Sequence, residues 1–457
     1  MGLQETLEKK EVVRYTKTNN RQKVKGDNCM KENWRIETQA VQGAYWPENA
    51  GPRVVPIVQS TTYRYDTCEE LARVFDLEQD TLMYTRLGNP TTDMLEQKMA
   101  MMEGGVGALA TSSGMAATVL AVLNIAKGGD SILSSSTIYG GSFTVFSTTF
   151  RDLGIEVIFF DPDASKEEIL ALAKPNTKAI FGETIGNPLV NVIDFEKFSA
   201  VAKALGVPFI VDNTFATAAL CKPLTLGANI VVYSTSKYID GHAQALGGII
   251  IDGGNFDWNN GKFPCMTEPD ESYHGVRYFK DFGDKGYIVK ARAQLMRNFG
   301  MTPAPMNSYL MNLGLETLPL RMERHSENAL KMAQYLENHP MCAWVNYPGL
   351  PSSKYYEVAK KYLPNGQSGV LTFGVKGGRD AGRQFINHLK MVALVTHVAD
   401  VRSCVLQPAS TTHRQLSDEE LVACGVSADM IRFSVGIENV QDIIDDFEQA
   451  FAAVQQG

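Results

Sequence analysis

Between residues 109 and 252, short runs of wholly apolar residues alternate with helix-forming stretches, and no other feature constrains the fold as strongly. Residues 113–126, 166–173 and 195–205 have helical composition. Strands are expected at 131–133, 155–160, 179–181, 208–211, 230–233 and 248–251. These runs are too apolar to leave one face in water, so the sheet is expected to be mainly parallel, with its crossover helices covering both faces. A long helical stretch, 318–338, leads into a different pattern: strand 369–374, helix 381–389, strands 392–395 and 431–435, helix 440–454. That order reads as a small α+β unit. Before residue 109 the chain is rich in Pro, Gly and Tyr and makes little sense as a separate core. Such a segment often wraps a neighbouring subunit.

At 457 residues the chain is long enough for two or three domains. Four segments are expected: an extension at 1–29, disordered or artificially appended; an N-terminal arm at 30–95; an α/β domain at 96–316; and an α+β domain at 317–457. The first 29 residues mix acids with bases and lack an apolar core, so they read as neither a signal nor a transit peptide. The net charge is -8, with Lys and Arg scattered and no basic face, which argues against nucleic acid as a partner. Seven cysteines, far apart and without a CxxC pair, suggest neither a disulfide framework nor a zinc site; no metal is expected, and a reducing cytoplasm fits best. No apolar run reaches the roughly 18 residues a membrane span requires.

The chemistry gathers where the expected strands end. The stretch "NIVVYSTSKYIDGHAQALGG" runs from a buried strand straight into Lys237, with Ser234 and Ser236 just before it. A buried ammonium is costly unless it is paired or put to chemical use. Asp212 ends "PFIVD", Glu183 follows "AIF", and Asn187 lies in "ETIGNP". In open α/β sheets, ligands bind beyond the carboxyl ends of the strands. An amine and an unmetallated carboxylate at such ends are what pyridoxal 5'-phosphate requires: the lysine holds the cofactor covalently, and the aspartate keeps the pyridine nitrogen protonated. "TSSGMAATVL" enters a helix through Gly114, whose first amides suit a phosphate. A serine-glycine helix start is by itself usually only a cap; the weight lies in the joint occurrence.

These residues resemble the cysteine/methionine-metabolism family of pyridoxal-phosphate enzymes, of fold type I, from about Asn33 to the C-terminus. The matching motifs, in the family's order, are "YTRLGNPT", "TSSGMAA", "IYGG", "ETIGNP", "VDNTFAT", "YSTSKYIDGH", "QPASTTH" and "IRFSVGIE". The resemblance implies a large domain with a mainly parallel seven-stranded sheet covered by helices, plus a small C-terminal α+β domain. It implies that Lys237 binds the cofactor and moves protons, and that Asp212 pairs with the ring nitrogen. Tyr139 would stack on the ring and help deprotonate the incoming amine, and Asn187 would hydrogen-bond the ring hydroxyl. Gly114, Met115, Ser234 and Ser236 would bind the phosphate, while Tyr84 and Arg86 would reach the phosphate of a neighbouring subunit. Arg432 would clamp the substrate's α-carboxylate, with His397 and Val398 beside it. His397 stands where the family often has asparagine or serine. Arg432 and partial desolvation would lower the Lys237 pKa. His242 and His413 read as structural, and His274 is open.

Within the family, the segment 263–283 and "PASTTHRQLSDEEL" resemble the sulfhydrylase branch. Gly141 stands where γ-lyases usually carry cysteine. The implied reaction is a γ-replacement in which sulfide, or a small thiol such as methanethiol, displaces acetate from O-acetyl-L-homoserine, giving homocysteine or methionine. The competing readings are a methionine or homocysteine γ-lyase, an O-succinylhomoserine-dependent enzyme, and a silent scaffold, which would have lost Lys237, Asp212 or Arg432. The implied assembly is a homo-oligomer, a tetramer built of dimers that share sites.

Overall fold

The computed structural model describes residues 34–47, 49–79, 81–412, 414 and 425–456. The expected extension at 1–29 and His413 lie outside them.

Two sheets organise the chain. The first contains β1 (Gly107–Thr111), β2 (Ser131–Ser135), β3 (Glu156–Phe160), β4 (Thr177–Glu183), β5 (Phe209–Asp212), β6 (Ile230–Ser234) and β7 (Gly248–Asp252). Its order is β1-β7-β6-β5-β4-β2-β3. From β6 through β3 every pairing is parallel, and β7 runs antiparallel to both β6 and β1. The fold is α/β, as the resemblance implies, with seven strands in this sheet. Alternate residues of one strand enter different cores: Val231 and Tyr233 pack on one face, Ile230 and Val232 on the other. Burial on both faces is the physical reason these strands read as unbroken apolar runs.

The second sheet is smaller and mostly antiparallel. It contains β8 (Cys342–Asn346), β9 (Val370–Val375), β10 (Ala393–Leu394), β11 (Cys404–Leu406) and β12 (Met430–Ser434), in the order β10-β11-β12-β9-β8. Helices Gly378–His388 and Val440–Gln456 cover one face through Phe385, Phe447 and Phe451. Helix Leu318–Asn338 bridges the sheets: Leu318 and Met322 join the core of the first, whereas Met332 and Leu336 join that of the second.

Helices 195–205 and 318–338 fall where the sequence pattern puts them. The helix expected at 113–126 is shorter, Gly114–Leu123, starting where the Ser113 side chain accepts the Ala116 amide. The strand expected at 392–395 shrinks to Ala393–Leu394, an exposed edge pair. Strands β1, β8 and β11 and the helices Pro90–Glu103 and Pro305–Glu316 were not expected. Strand β11 has only three residues, so it shows no periodicity to read. The helix Pro90–Glu103 crosses residue 95, with Leu95, Met99 and Met102 in the first core. Among the described residues, no helix is long and apolar enough to cross a membrane.

Candidate active site

Three adjacent parallel strands, β4, β5 and β6, end side by side. Glu183 pairs in register with Asp212, and Asp212 with Val232. Just beyond β6 the chain turns sharply: Lys237 N–H donates to the Ser234 carbonyl (3.3 Å), and Gly241 N–H to the Lys237 carbonyl (2.7 Å). Arg321 fixes this turn by donating to the Tyr238 carbonyl (2.7 Å). Gly241 must be glycine there: its φ is +71°, and a Cβ would lie 2.2 Å from the Arg321 guanidinium.

Burial first, and the Arg432 charge second, lower the Lys237 pKa to about 8, so its amine is neutral far more often than that of an exposed lysine. Its Nζ lies 3.2 Å from His397 Nδ1. Burial raises Asp212 to about 6. One of its oxygens accepts from the Thr214 amide (2.9 Å) and hydroxyl (2.5 Å). The other takes no hydrogen bond from the described residues. Glu183, noticed in the sequence only as a strand-end carboxylate, ties the site's loops together. It accepts the Tyr139 amide at 2.7 Å and the Asn187 amide as well. Burial foremost, and then the neighbouring Asp212, hold it well above the usual carboxylate range.

Arg432 comes from β12 in the other sheet and is 8% exposed. It donates to Asn187 Oδ1 and to the His397 carbonyl, both at 3.2 Å. Among the described residues, neither its hydrogen bonds nor its electrostatic neighbours, Cys404 and Tyr139, include a carboxylate. A buried guanidinium without an anion is half of a bidentate pair. The Tyr139 ring is 47% exposed, and a Cβ on Gly141 would lie 2.5 Å from its Cε1. Bare space at Gly141 therefore sets where the ring lies.

On the phosphate side, Gly114 opens its helix directly against Ser234. A Cβ at Gly114 would meet Ser234 Cβ at 2.5 Å and Cα at 2.8 Å. The Gly114 and Met115 amides precede the first intrahelical bond, which is the arrangement that holds a dianion. Of the two serines, Ser234 makes no side-chain hydrogen bond among the described residues, its amide donating to Thr214, whereas the Ser236 hydroxyl donates to the Gly247 carbonyl at 3.2 Å. The same hydroxyl accepts the Gly247 amide at 3.0 Å.

Tyr84 and Arg86 stand apart. The Arg86 guanidinium lies over the Tyr84 ring at 5.1 Å, both residues are exposed, and no hydrogen bond among the described residues ties them to the Lys237 cluster. Val398 is buried beside His397. His242 Nδ1 meets the Asp240 carbonyl (2.7 Å), and exposed His274 lies 3.6 Å from Asp76. Cys404, whose Sγ approaches the His397 carbonyl at 3.6 Å, had no signal in the sequence.

The residues fit pyridoxal phosphate on their own geometry: a cradle at Gly114 that a side chain would fill, an unspent Asp212 oxygen, and a desolvated amine at a strand end. The family model for Cys/Met metabolism PLP-dependent enzymes matches residues 37–452. The chain is 44% identical to O-acetyl-L-homoserine sulfhydrylase of Leptospira meyeri, over 92% of this chain and 97% of that one. It is 45% identical to homocysteine/cysteine synthase of Saccharomyces cerevisiae, over 89% and 94%. A crystal structure of a protein described as an O-acetylhomoserine (thiol)-lyase from Campylobacter jejuni, with a pyridoxyl-lysine monophosphate, superposes with a TM-score of 0.88 at 38% identity, over 92% of this chain and all of that one.

Proposed function

Since the chain belongs to the Cys/Met metabolism PLP-dependent enzymes, we propose that it exchanges the acetyl group of O-acetyl-L-homoserine for sulfide or a small thiol. Sulfide would give L-homocysteine and acetate; methanethiol would give methionine. The relatives named O-acetyl-L-homoserine sulfhydrylase and homocysteine/cysteine synthase support this reading. Pyridoxal phosphate, when bound, supplies an electron sink for the substrate carbons near its amino nitrogen. Lys237 would hold it, Asp212 would face its ring nitrogen, and Gly114, Met115, Ser234 and Ser236 would receive its phosphate.

The chain's own groups do the rest. Arg432 takes the substrate's α-carboxylate with the N–H groups that Asn187 and the His397 carbonyl leave over, while Asn187 Oδ1 keeps the guanidinium turned toward the site. Lys237 Nζ, desolvated and often neutral, removes protons from the substrate and returns them. Glu183 holds the Tyr139 loop so that the ring covers the reacting centre and limits water. The observation that carries the reading is Arg432: a buried cation with no carboxylate partner among the described residues, brought from the second sheet to within one residue of the amine.

Each site would be completed by Tyr84 and Arg86 of a second copy, in a homo-oligomer extending to a tetramer, with residues 30–95 as the arm between subunits. Exposed Leu246, Met306, Leu313 and Leu320 offer apolar surface for that contact. The large sheet with its helices, 96–316, and the α+β part, 317–457, would be the two domains of a cytoplasmic enzyme.

The test is a product assay with O-acetyl-L-homoserine, with and without sulfide. Homocysteine is expected only with sulfide, and little 2-oxobutanoate without it. Dominant 2-oxobutanoate regardless of sulfide would make the protein a lyase, and turnover of only the succinyl ester would move the substrate class.

A further inference from the structure

The loop carrying His397 is stapled to the turn carrying Lys237. Val401 N–H donates to the Gly241 carbonyl at 2.9 Å, and Arg402 Nη2 to the His242 carbonyl at 2.6 Å. Between His397 and these staples Ala399 takes φ +68°, a left-handed conformation unfavourable for a residue with a Cβ, and its amide donates to Ser434 Oγ at 2.8 Å. This packing sets the imidazole between two ionisable groups. Nδ1 lies 3.2 Å from Lys237 Nζ, and Nε2 lies 3.6 Å from Asp400 Oδ2. Nε2 is buried and makes no hydrogen bond among the described residues. Asp400 is itself oriented, its other oxygen accepting the Arg402 amide at 2.7 Å. A reacting group, an imidazole within hydrogen-bond reach and a third group behind it form the arrangement by which a base is activated.

We propose that His397 is a catalytic residue that exchanges a proton with Lys237, with Asp400 as its positioning partner. This rests on the reading of Lys237 as the proton carrier. With its proton on Nε2, the side nearer Asp400, the ring leaves the Nδ1 lone pair facing the amine. In the transfer an N–H bond of the Lys237 ammonium breaks and an Nδ1–H bond forms. The positive charge passes to the imidazolium, opposite the Asp400 carboxylate, and the reverse step restores the ammonium. A second proton acceptor beside the amine would serve a reaction that takes protons from two substrate carbons in turn.

The charged and titratable groups around the ring are Lys237 and Asp240 from the turn after β6, Asp400 from its own loop, and Arg432 from β12, with Cys404 of β11 against its carbonyl. Burial foremost, then Lys237, lowers its pKa, with Arg432 adding to this and Asp400 and Asp240 opposing it, so the imidazole is neutral and free to accept at neutral pH. An asparagine at 397 would keep a polar contact for a substrate carboxylate but could not hold a proton.

The experiment compares wild type, His397→Asn, His397→Gln and Lys237→Ala holoenzymes with O-acetyl-L-homoserine and sulfide across pH, alongside NMR titration of the His397 imidazole in wild type and Lys237→Met. Loss of about 10²-fold in kcat in both His397 variants, with KM unchanged and partial rescue by added imidazole, is expected. The His397 titration should move upward in Lys237→Met, because a neighbouring ammonium has been removed; this readout stands even if a His397 variant misfolds. A raised KM with unchanged kcat would overturn the relay and leave a carboxylate contact. Wild-type kinetics, or an imidazole titration indifferent to Lys237, would also overturn it. Activity retained by Lys237→Ala would sink the underlying reading of the lysine, whereas its loss beside a fully active His397→Asn would sink the relay alone.

Discussion

In the seven-stranded sheet the reacting groups sit at strand ends, whereas in the five-stranded sheet the group that reaches the site, Arg432, sits in the middle of β12. The difference follows from strand direction. Parallel neighbours all finish on one edge, so Glu183, Asp212 and the turn to Lys237 open one crevice. Antiparallel neighbours finish on opposite edges, so such a sheet can offer the site only a face. Strand β12 offers it by alternation. Ile431 and Phe433 enter the core under the helices, and Arg432 between them points the other way. The two regions therefore divide the labour: the first sheet carries what reacts, and the second carries what holds the substrate still.

The comparison would break most visibly at Lys237. In Lys237→Ala, turnover should fall by at least the order of 10³-fold, the scale of a lost positioned proton-transfer group, and the lysine-linked pyridoxal absorbance should vanish. A retained, borohydride-trappable chromophore would remove the first sheet's claim to the chemistry. The second sheet is tested by Arg432→Lys, which keeps the charge and loses the fork. A charge-assisted bond of about 1.5–3 kcal/mol predicts a fall of roughly 10- to 100-fold in kcat/KM, carried mainly by KM. A fall carried by kcat alone would show that Arg432 serves the reaction rather than the holding.

The smallest effect sharpens how the first sheet's edge is braced. Asn213, next to Asp212, donates to Glu103 at 3.2 Å, and Tyr233 donates to the same oxygen. Burial raises Glu103 from its ordinary 4.5 to about 8, so the folded protein binds this proton more tightly than the unfolded chain does. Its contribution is therefore complete below about pH 4.5 and is lost as the pH rises through about 8. Glu103→Gln cannot ionise and should flatten the fall in thermal stability across that window. Glu103→Ala should cost about 1–3 kcal/mol at neutral pH by stranding its two donors. A pH-stability curve unchanged by Glu103→Gln would place the brace elsewhere.

Much of this site was legible in the chain, and the limits are informative. An apolar run that stops at a carboxylate or a hydroxyl marks a strand end, which is why Asp212, Glu183 and Ser234 stood out. Lys237 stood out because an amine so close to a buried strand has to be accounted for. Arg432 was visible as a charge inside "IRFSV", with nothing to say which face it would take. Glu183 was visible too, but its partners, the amides of Tyr139 and Asn187, were not. That the Ser236 hydroxyl meets Gly247 was not legible either, because the loop between them carries no periodic pattern.

By itself the sequence determined the α/β class, the strands that carry chemistry, and the residue types a pyridoxal site needs, because periodicity and turn residues are local properties of the chain. Only the tertiary structure decided that His397 meets Lys237, that Gly114 lies against Ser234, and that Arg432 turns toward Asn187. Those contacts join residues far apart along the chain. Their distances are set by how two sheets and one bridging helix pack, and no local pattern encodes a packing angle.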